Sequence, residues 1–392
     1  MKPVLTVIVF AQFLCTTLWF VGNAVMPEVV SAFGLGELFF AHQTSAVQFG
    51  FISGTLVFAV LTLADRFSPS KVFFFSAVAA AAFNLGILSE SNSGLSILVL
   101  RYMTGFFLAG IYPVGMKITA DYFDKGLGKS LGFLVGALVL GTAFPHLLRG
   151  YLVQYPWMYI IATASALALI GGVLMVWLVP DGPYRKTTGK IDLTVFFQVF
   201  HSRSFRSAAF GYFGHMWELY TFWAFVPLML GTYASTSGAE WNISLLSFLI
   251  IGVGSLACVG AGYLSAEIGE RTTAVWALAA SGICCLVSPL MFGIDSPSIF
   301  LAFLLFWGIA VIADSPMFST LVAKNTHPHQ RGTALTLVNS IGFFITILSI
   351  QALSSIAKDL SVQYLFLWLA PGPVLGLIAL ALGRKHAHDP TL

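Results

Sequence analysis

The sequence predicts an all-α membrane protein: twelve transmembrane helices arranged as two pseudo-symmetric six-helix bundles. Three observations predict it. Of the 392 residues, 58% are hydrophobic and only 9% are charged, too little polar surface to cover a water-soluble fold of this length. Apolar runs of the ~20 residues that a bilayer-spanning helix needs recur along the whole chain. The first half of the pattern also returns, faintly, in the second.

The first run, at roughly 4–27, follows a single lysine and lacks a small-residue cleavage site, so it reads as a first span and not a removable signal. Its Gln12, Trp19 and Asn23 lie seven and then four residues apart and share one helix face. Runs at roughly 43–64 and 71–89 flank the polar loop LTLADRFSPSK, and the fourth, roughly 95–119, carries Arg101 and Tyr112 on a common face. The fifth, roughly 127–149, includes GFLVGALVLG, whose glycines allow close helix packing, and the sixth covers roughly 156–179. Residues 180–204 are the one longer connection. They open with Pro and Gly, carry Arg185, Lys186 and Lys190, and turn apolar at Val195, Phe196, Phe197, Val199 and Phe200. That pattern predicts a linker followed by a short helix on the membrane surface, with its basic residues toward anionic lipid.

Six further runs follow at roughly 205–230, 243–266, 273–293, 298–322, 332–356 and 363–383. The seventh span holds FGYFGHMWELYTFWAF, in which His215 and Glu218 are three residues apart and neighbours on the helix surface. The tenth has Trp307 and Asp314 on one face, and Pro316, which cannot donate to the carbonyl four residues earlier and predicts a kink or break. The expected organisation is an N-terminal bundle over 1–179, a linker over 180–204 and a C-terminal bundle over 205–392. Gly105 and Pro113 correspond to Gly308 and Pro316, Leu63 to Leu264, and Gly128 and Leu131 to Gly332 and Leu335, at offsets of 201–204. Duplicated halves of this kind hold a substrate between them near the midplane.

Charge placement orients the chain. With Lys2 in the cytoplasm and spans alternating, all of the 19 Lys and Arg but Arg101, Arg149 and Lys358 fall at cytoplasmic loops and ends. Glu28, Glu37, Glu90, Glu240, Asp295 and Asp359 mark the outer ends. This bias predicts cytoplasmic termini, and the basic residues need no nucleic acid to explain them. The four cysteines all lie within apolar spans and offer neither a disulfide framework nor a metal-binding spacing.

Three charges break the apolar spans: Arg101, Glu218 and Asp314. A charge near the bilayer midplane costs at least ~2.5–3.5 kcal/mol on insertion scales, so each needs a partner or a task. Glu218 and His215 can both take up and release protons; the structural alternative is a hydrogen-bonded pair joining two helices. Arg101 stays charged and needs an anion, either Glu218, Asp314 or substrate, unless it snorkels to the outer surface. Asp314 either binds ion or substrate or caps the lower segment of its broken helix. Phosphate-binding loops with Lys-Ser/Thr, HExxH and GxSxG are all missing from the sequence, which argues against an enzyme and against any cofactor or metal.

Over essentially its whole length the chain resembles transporters of the major facilitator superfamily. The loop motif of that family, GxLaDRxGRK, is matched at Leu63, Ala64, Asp65 and Arg66, with Leu61 and Ser68 in place of its glycines. A second copy keeps Gly262, Leu264, Gly269 and Arg271 but has Ala266 in place of Asp, and the span-4 motif RxxxG is met by Arg101 and Gly105. The resemblance implies that spans 1, 4, 7 and 10, the ones with polar faces, line a central cavity. It makes Asp65 and Arg66, with Arg271, a cytoplasmic latch, and puts Arg101 at a position linked to proton coupling. The antiporter motif of span 5 has a Gly-Pro pair where this chain has Phe144-Pro145, a departure that weakens drug/proton antiport.

The expected activity is therefore proton-coupled secondary transport by a monomer in the cell inner membrane. Glu218, His215 and Arg101 would serve coupling, and Arg101, Trp19, Asn23, Tyr112, Tyr220, Trp307 and Asp314 would hold a small polar or anionic solute, since an obligate cation favours an anion. The alternatives are an efflux carrier for amphipathic or cationic compounds and a non-transporting receptor.

Overall fold

The computed structural model describes residues 2–36, 38–123, 127–185, 198–327 and 330–384. Among these the chain is helical, without strands. Helix α1 has three segments, Lys2–Thr16, Val21–Ala24 and Met26–Phe33. It is followed by α2 (Phe39–Val60), α3 (Pro69–Gly86), α4 (Gly94–Leu108 and Tyr112–Tyr122), α5 (Leu127–Tyr151) and α6 (Met158–Leu178). The second set is α7 (Arg203–Ser237), α8 (Ile243–Gly252 and Gly254–Ile268), α9 (Glu270–Phe292), α10 (Pro297–Ala313 and Ser315–Lys324), α11 (Arg331–Ile356) and α12 (Val362–Leu365, a 3-10 turn Phe366–Leu369, and Pro371–Arg384). The expected surface helix around Val195, Phe196 and Phe197 lies outside the described residues, as do Lys186 and Lys190.

Nine helical stretches among the described residues are long and apolar enough to cross a membrane. The other three of the twelve are α1, which is broken; α3, which opens on Pro-Ser-Lys and carries Asn84; and α7, which carries His215 and Glu218. Helix α7 also runs past its expected end near 230, because Tyr233 stacks on Phe300 with ring centroids 4.0 Å apart and holds the extra turns against α10.

The helix breaks have local causes. In α1 the Thr16 hydroxyl donates back to the Gln12 carbonyl at 2.9 Å and the Thr17 hydroxyl to Leu14 at 2.7 Å, side-chain bonding that bends a helix. In α10 Pro316 leaves the Ile312 carbonyl without its helical donor, and the Cys258 thiol of α8 reaches it at 3.9 Å. In α4 the break at 109–111 precedes Pro113.

Close packing repeats across the halves. A Cβ placed on Gly105 of α4 would strike the carbonyl of Val47 in α2, and one on Gly308 of α10 would strike the carbonyl of Ile250 in α8. Both members of the second pair lie 203 residues after those of the first. Helix backbones that approach this closely admit only glycine. The halves meet along α2 against α11 and α5 against α8, where Gln351 donates to Ser45 at 2.8 Å and Asn242 to the Gly150 carbonyl at 3.0 Å.

Candidate functional site

Between the halves lies a layer of aromatic rings. Trp19 of α1 and Phe51 of α2 meet Tyr220 of α7 and Phe343 of α11, with centroids 4.7 Å apart for Trp19–Phe51, 6.0 Å for Trp19–Tyr220 and 4.6 Å for Phe51–Phe343. Trp223 joins edge-on to Tyr220 at 5.2 Å. Toward the acidic face, the one bearing the Arg149–Glu28 ion pair, a cavity of about 750 Å³ opens between α1, α2, α7, α11 and α12; Asn23, Phe225, Ser354 and Lys358 are among its lining residues. On the other side of the layer is a chamber of about 30 Å³, lined from α4, α5, α7, α10 and α11. That volume holds about one water.

The ionisable side chains of the spans turn away from this chamber. Its α7 lining is Tyr212, Met216, Leu219, Tyr220 and Trp223; at ~100° per residue these share one arc, and Glu218 lies roughly 100° beyond its nearer edge. Glu218 points instead between α9 and α10. It accepts hydrogen bonds from the Trp307 indole at 2.6 Å, the Ser281 hydroxyl at 2.9 Å and the Cys285 thiol at 3.4 Å. His215 Nδ1 sits 2.8 Å from Asp314 Oδ1, an ion-pair contact between α7 and the break in α10. The other oxygen of Asp314 and Nε2 of His215 meet no partner among the described residues, and both side chains are 1% exposed. Asp314 does not cap the lower segment with its side chain.

Arg101 is 1% exposed, so it does not snorkel. It donates through Nη1 to Asn84 Oδ1 at 3.0 Å and through Nη2 to the carbonyls of Leu18 and Trp19 at 3.2 and 2.7 Å. Those two carbonyls sit in the first break of α1, where no helical donor reaches them. The expected pairing of Arg101 with Glu218 or Asp314 is not formed: its guanidinium donates to an amide and two carbonyls, and both acids are held inside the second half. The three charges thus occupy two bundles, not one cavity. The two networks correspond in position, with α1, α3 and α4 joined around Arg101 and α7, α9 and α10 joined around Glu218.

The other sequence-selected residues divide. Tyr112 and Tyr220 line the small chamber, Trp19 and Tyr220 build the aromatic layer, and Asn23 borders the larger cavity while hydrogen-bonded to Thr44 and Gln43. Trp307 is buried within the second half. Sequence reasoning missed Asn84, which partners Arg101, and Tyr212, Ser315, Asn339 and Phe343, which line the chamber. Asn84 carried a visible signal as the lone amide of its apolar run, and Asn339 as one of two amides in its own, with Gln351. Phe343 carried none among 36 phenylalanines.

At the basic face, Asp65 meets Lys117 of α4 at 3.0 Å, and Arg185 pairs with Asp181 and donates to the carbonyls of Asp65 and Phe67 at 3.0 and 2.8 Å. Arg66 is exposed. In the second half Arg271 donates to the Leu380 carbonyl, and Glu270 pairs with Lys324 at 2.6 Å. Lys117, Glu270 and Lys324 were not selected from sequence.

The comparisons with known proteins follow the same lines. Over 187 residues, 44% of this chain, the sequence is 28% identical to "Efflux pump FUB11" of Gibberella fujikuroi. Over 146 residues, 36% of this chain, it is 28% identical to "Solute carrier family 22 member 7" of Sus scrofa. The matched stretches span about a third or less of these relatives' own length, 32% and 26%. A solved nucleoside transporter, NupG in a D323A mutant form, shares the fold with a TM-score of 0.73 at 12% identity, over 97% of this chain and 100% of that one. The family model of the Major Facilitator Superfamily matches residues 8–350, and this chain, a multi-pass membrane protein, belongs to that superfamily.

Proposed function

We propose that the protein is a secondary active transporter that moves a small organic solute by alternating access. Its two bundles, over 1–179 and 205–392, would rock about the aromatic layer, with 180–204 as the connecting linker and both termini in the cytoplasm of a cell whose inner membrane it spans. The observation that carries this reading is the layer itself. Trp19 and Phe51 from one half close against Tyr220 and Phe343 from the other, with space between the halves on both sides. Separating the halves on either side of such a layer opens one route while the rings bar the other.

Proton coupling is assigned to His215 and Asp314, with Glu218 as a second carboxyl. His215 and Asp314 lie beside the chamber at the break of α10, where gaining or losing a proton changes the contact that ties α7 to α10. Asp65, Arg66 and Arg271 belong to the loops that part when the basic face opens, and Lys117 extends that latch. In proteoliposomes loaded with a pH-sensitive dye, a transported solute should drive proton movement. Glu218→Gln and Asp314→Asn should each abolish the proton signal. If solute still moves protons in both variants, the coupling assignment is wrong.

Export is the second reading, favoured by the stretch of 187 residues similar to a protein named as an efflux pump. Vesicles of opposite orientation, with the same imposed gradient, separate export from import.

A further inference from the structure

We infer that the chamber beneath the aromatic layer is a site for an uncharged, flat, acceptor-rich solute, such as an aromatic or heteroaromatic amide, and not for an organic anion or cation. This rests on the transport reading for its purpose but on the chamber alone for its chemistry. No lining residue of the chamber is an acid, a base or a histidine. Arg101 is engaged by the α1 carbonyls and Glu218 by Trp307, Ser281 and Cys285, while Asp314, outside the lining, meets His215 through one of its two oxygens. An ionised ligand would leave water for a site whose lining offers no direct counter-charge, a costly form of burial. Lys358 stands at the rim of the separate outer cavity, beyond the aromatic layer, and is exposed.

The polar groups that do face the chamber lack partners. The phenols of Tyr112, Tyr212 and Tyr220, the amide of Asn339 and the hydroxyl of Ser315 line it and make no side-chain hydrogen bond among the described residues. Tyr212 and Tyr220 are 6% and 2% exposed, and Tyr112, Ser315 and Asn339 are half-buried. Trp223, on the same wall, has a buried indole N–H without a partner. Buried polar groups are normally paired; here several are left open toward one space, and most are donors. A ligand offering carbonyl or ring-nitrogen acceptors completes them. Met116, Met216 and Phe343 supply polarisable and π-faced walls for a planar body. The chamber is contracted in this state, and the solute enters when the halves separate at one face.

The test uses the full-length protein in detergent and matched triples of flat aromatic solutes, nicotinamide, nicotinate and 1-methylnicotinamide among them, each triple comprising a neutral, an anionic and a cationic member. Binding is read by thermal shift and by tryptophan fluorescence, without any transport assay. Neutral members are expected to bind at least about tenfold more tightly than their charged partners, a difference of about 1.4 kcal/mol. Tyr212→Phe and Asn339→Ala should weaken the neutral members about tenfold each, and Tyr102→Phe, a phenol outside the chamber, should leave them unchanged. Tighter binding of the carboxylates or ammonium compounds, or no binding by any triple, overturns the inference. Neutral binding that depends on Tyr212 without solute movement in proteoliposomes overturns the transport reading instead.

Discussion

At the scale of single residues, the buried charges at the centres of the two corresponding networks differ in what they hold. Arg101 acts as a pin: a guanidinium with donors fixed in a plane meets Asn84 and two carbonyls of a broken helix at once. Lysine offers one compact ammonium on a flexible stem and cannot span the same three acceptors. Arg101→Lys should therefore lower stability by about 1–3 kcal/mol, the cost of leaving one buried acceptor unmet, read as a lower melting temperature in detergent. An unchanged melting curve would remove the pin. Glu218 is boxed by three donors, so Glu218→Gln, which keeps an acceptor oxygen, should melt close to the parent while losing proton movement. A large loss of stability in that variant would instead mark Glu218 as structural.

The elements owe their close approach to glycine. Gly105 against the Val47 carbonyl and Gly308 against the Ile250 carbonyl fix the α2–α4 and α8–α10 crossings at a distance where no side chain fits. Added methyl groups in packed interiors cost about 1–3 kcal/mol. Gly105→Ala and Gly308→Ala should each destabilise by that amount, measured by thermal unfolding, and by similar amounts because the contacts are equivalent. If only one of the two is sensitive, the crossings are not equivalent in energy. The breaks in α1, α4 and α10 were legible unequally: Pro316 announced the one in α10, Pro113 stood out only as part of the repeat although it follows the one in α4, and the break after Thr16 depends on hydroxyl back-bonding and on Arg101 reaching across from α4.

For the whole molecule, the aromatic layer predicts which surface each side of the membrane sees. The four native cysteines are buried, so introduced thiols report against a low background. In this state Ser354→Cys, in the larger cavity, should react with a membrane-impermeant maleimide added to the acidic face, and Asn339→Cys, beneath the layer, should not. Phe343→Ala should let reagent from that face reach Asn339→Cys. Protection of Asn339→Cys that survives the loss of Phe343 would show that other rings suffice.

Hydropathy, glycine spacing and the cost of a charge in lipid are local properties of the chain, and they sufficed for the helical membrane fold, the twofold repeat and the candidate charges. Arg101, Glu218 and Asp314 were visible as anomalies for that reason. Their partners were not. Which way a side chain points depends on the rotation of its helix, and helix rotation is set by packing against neighbours distant in sequence. Only the tertiary structure turned Glu218 toward Trp307 and Ser281, bound Arg101 to Asn84 and the α1 carbonyls, and joined His215 to Asp314. By turning the charges inward within each bundle, packing left the space between the halves to tyrosines, an asparagine and a layer of rings.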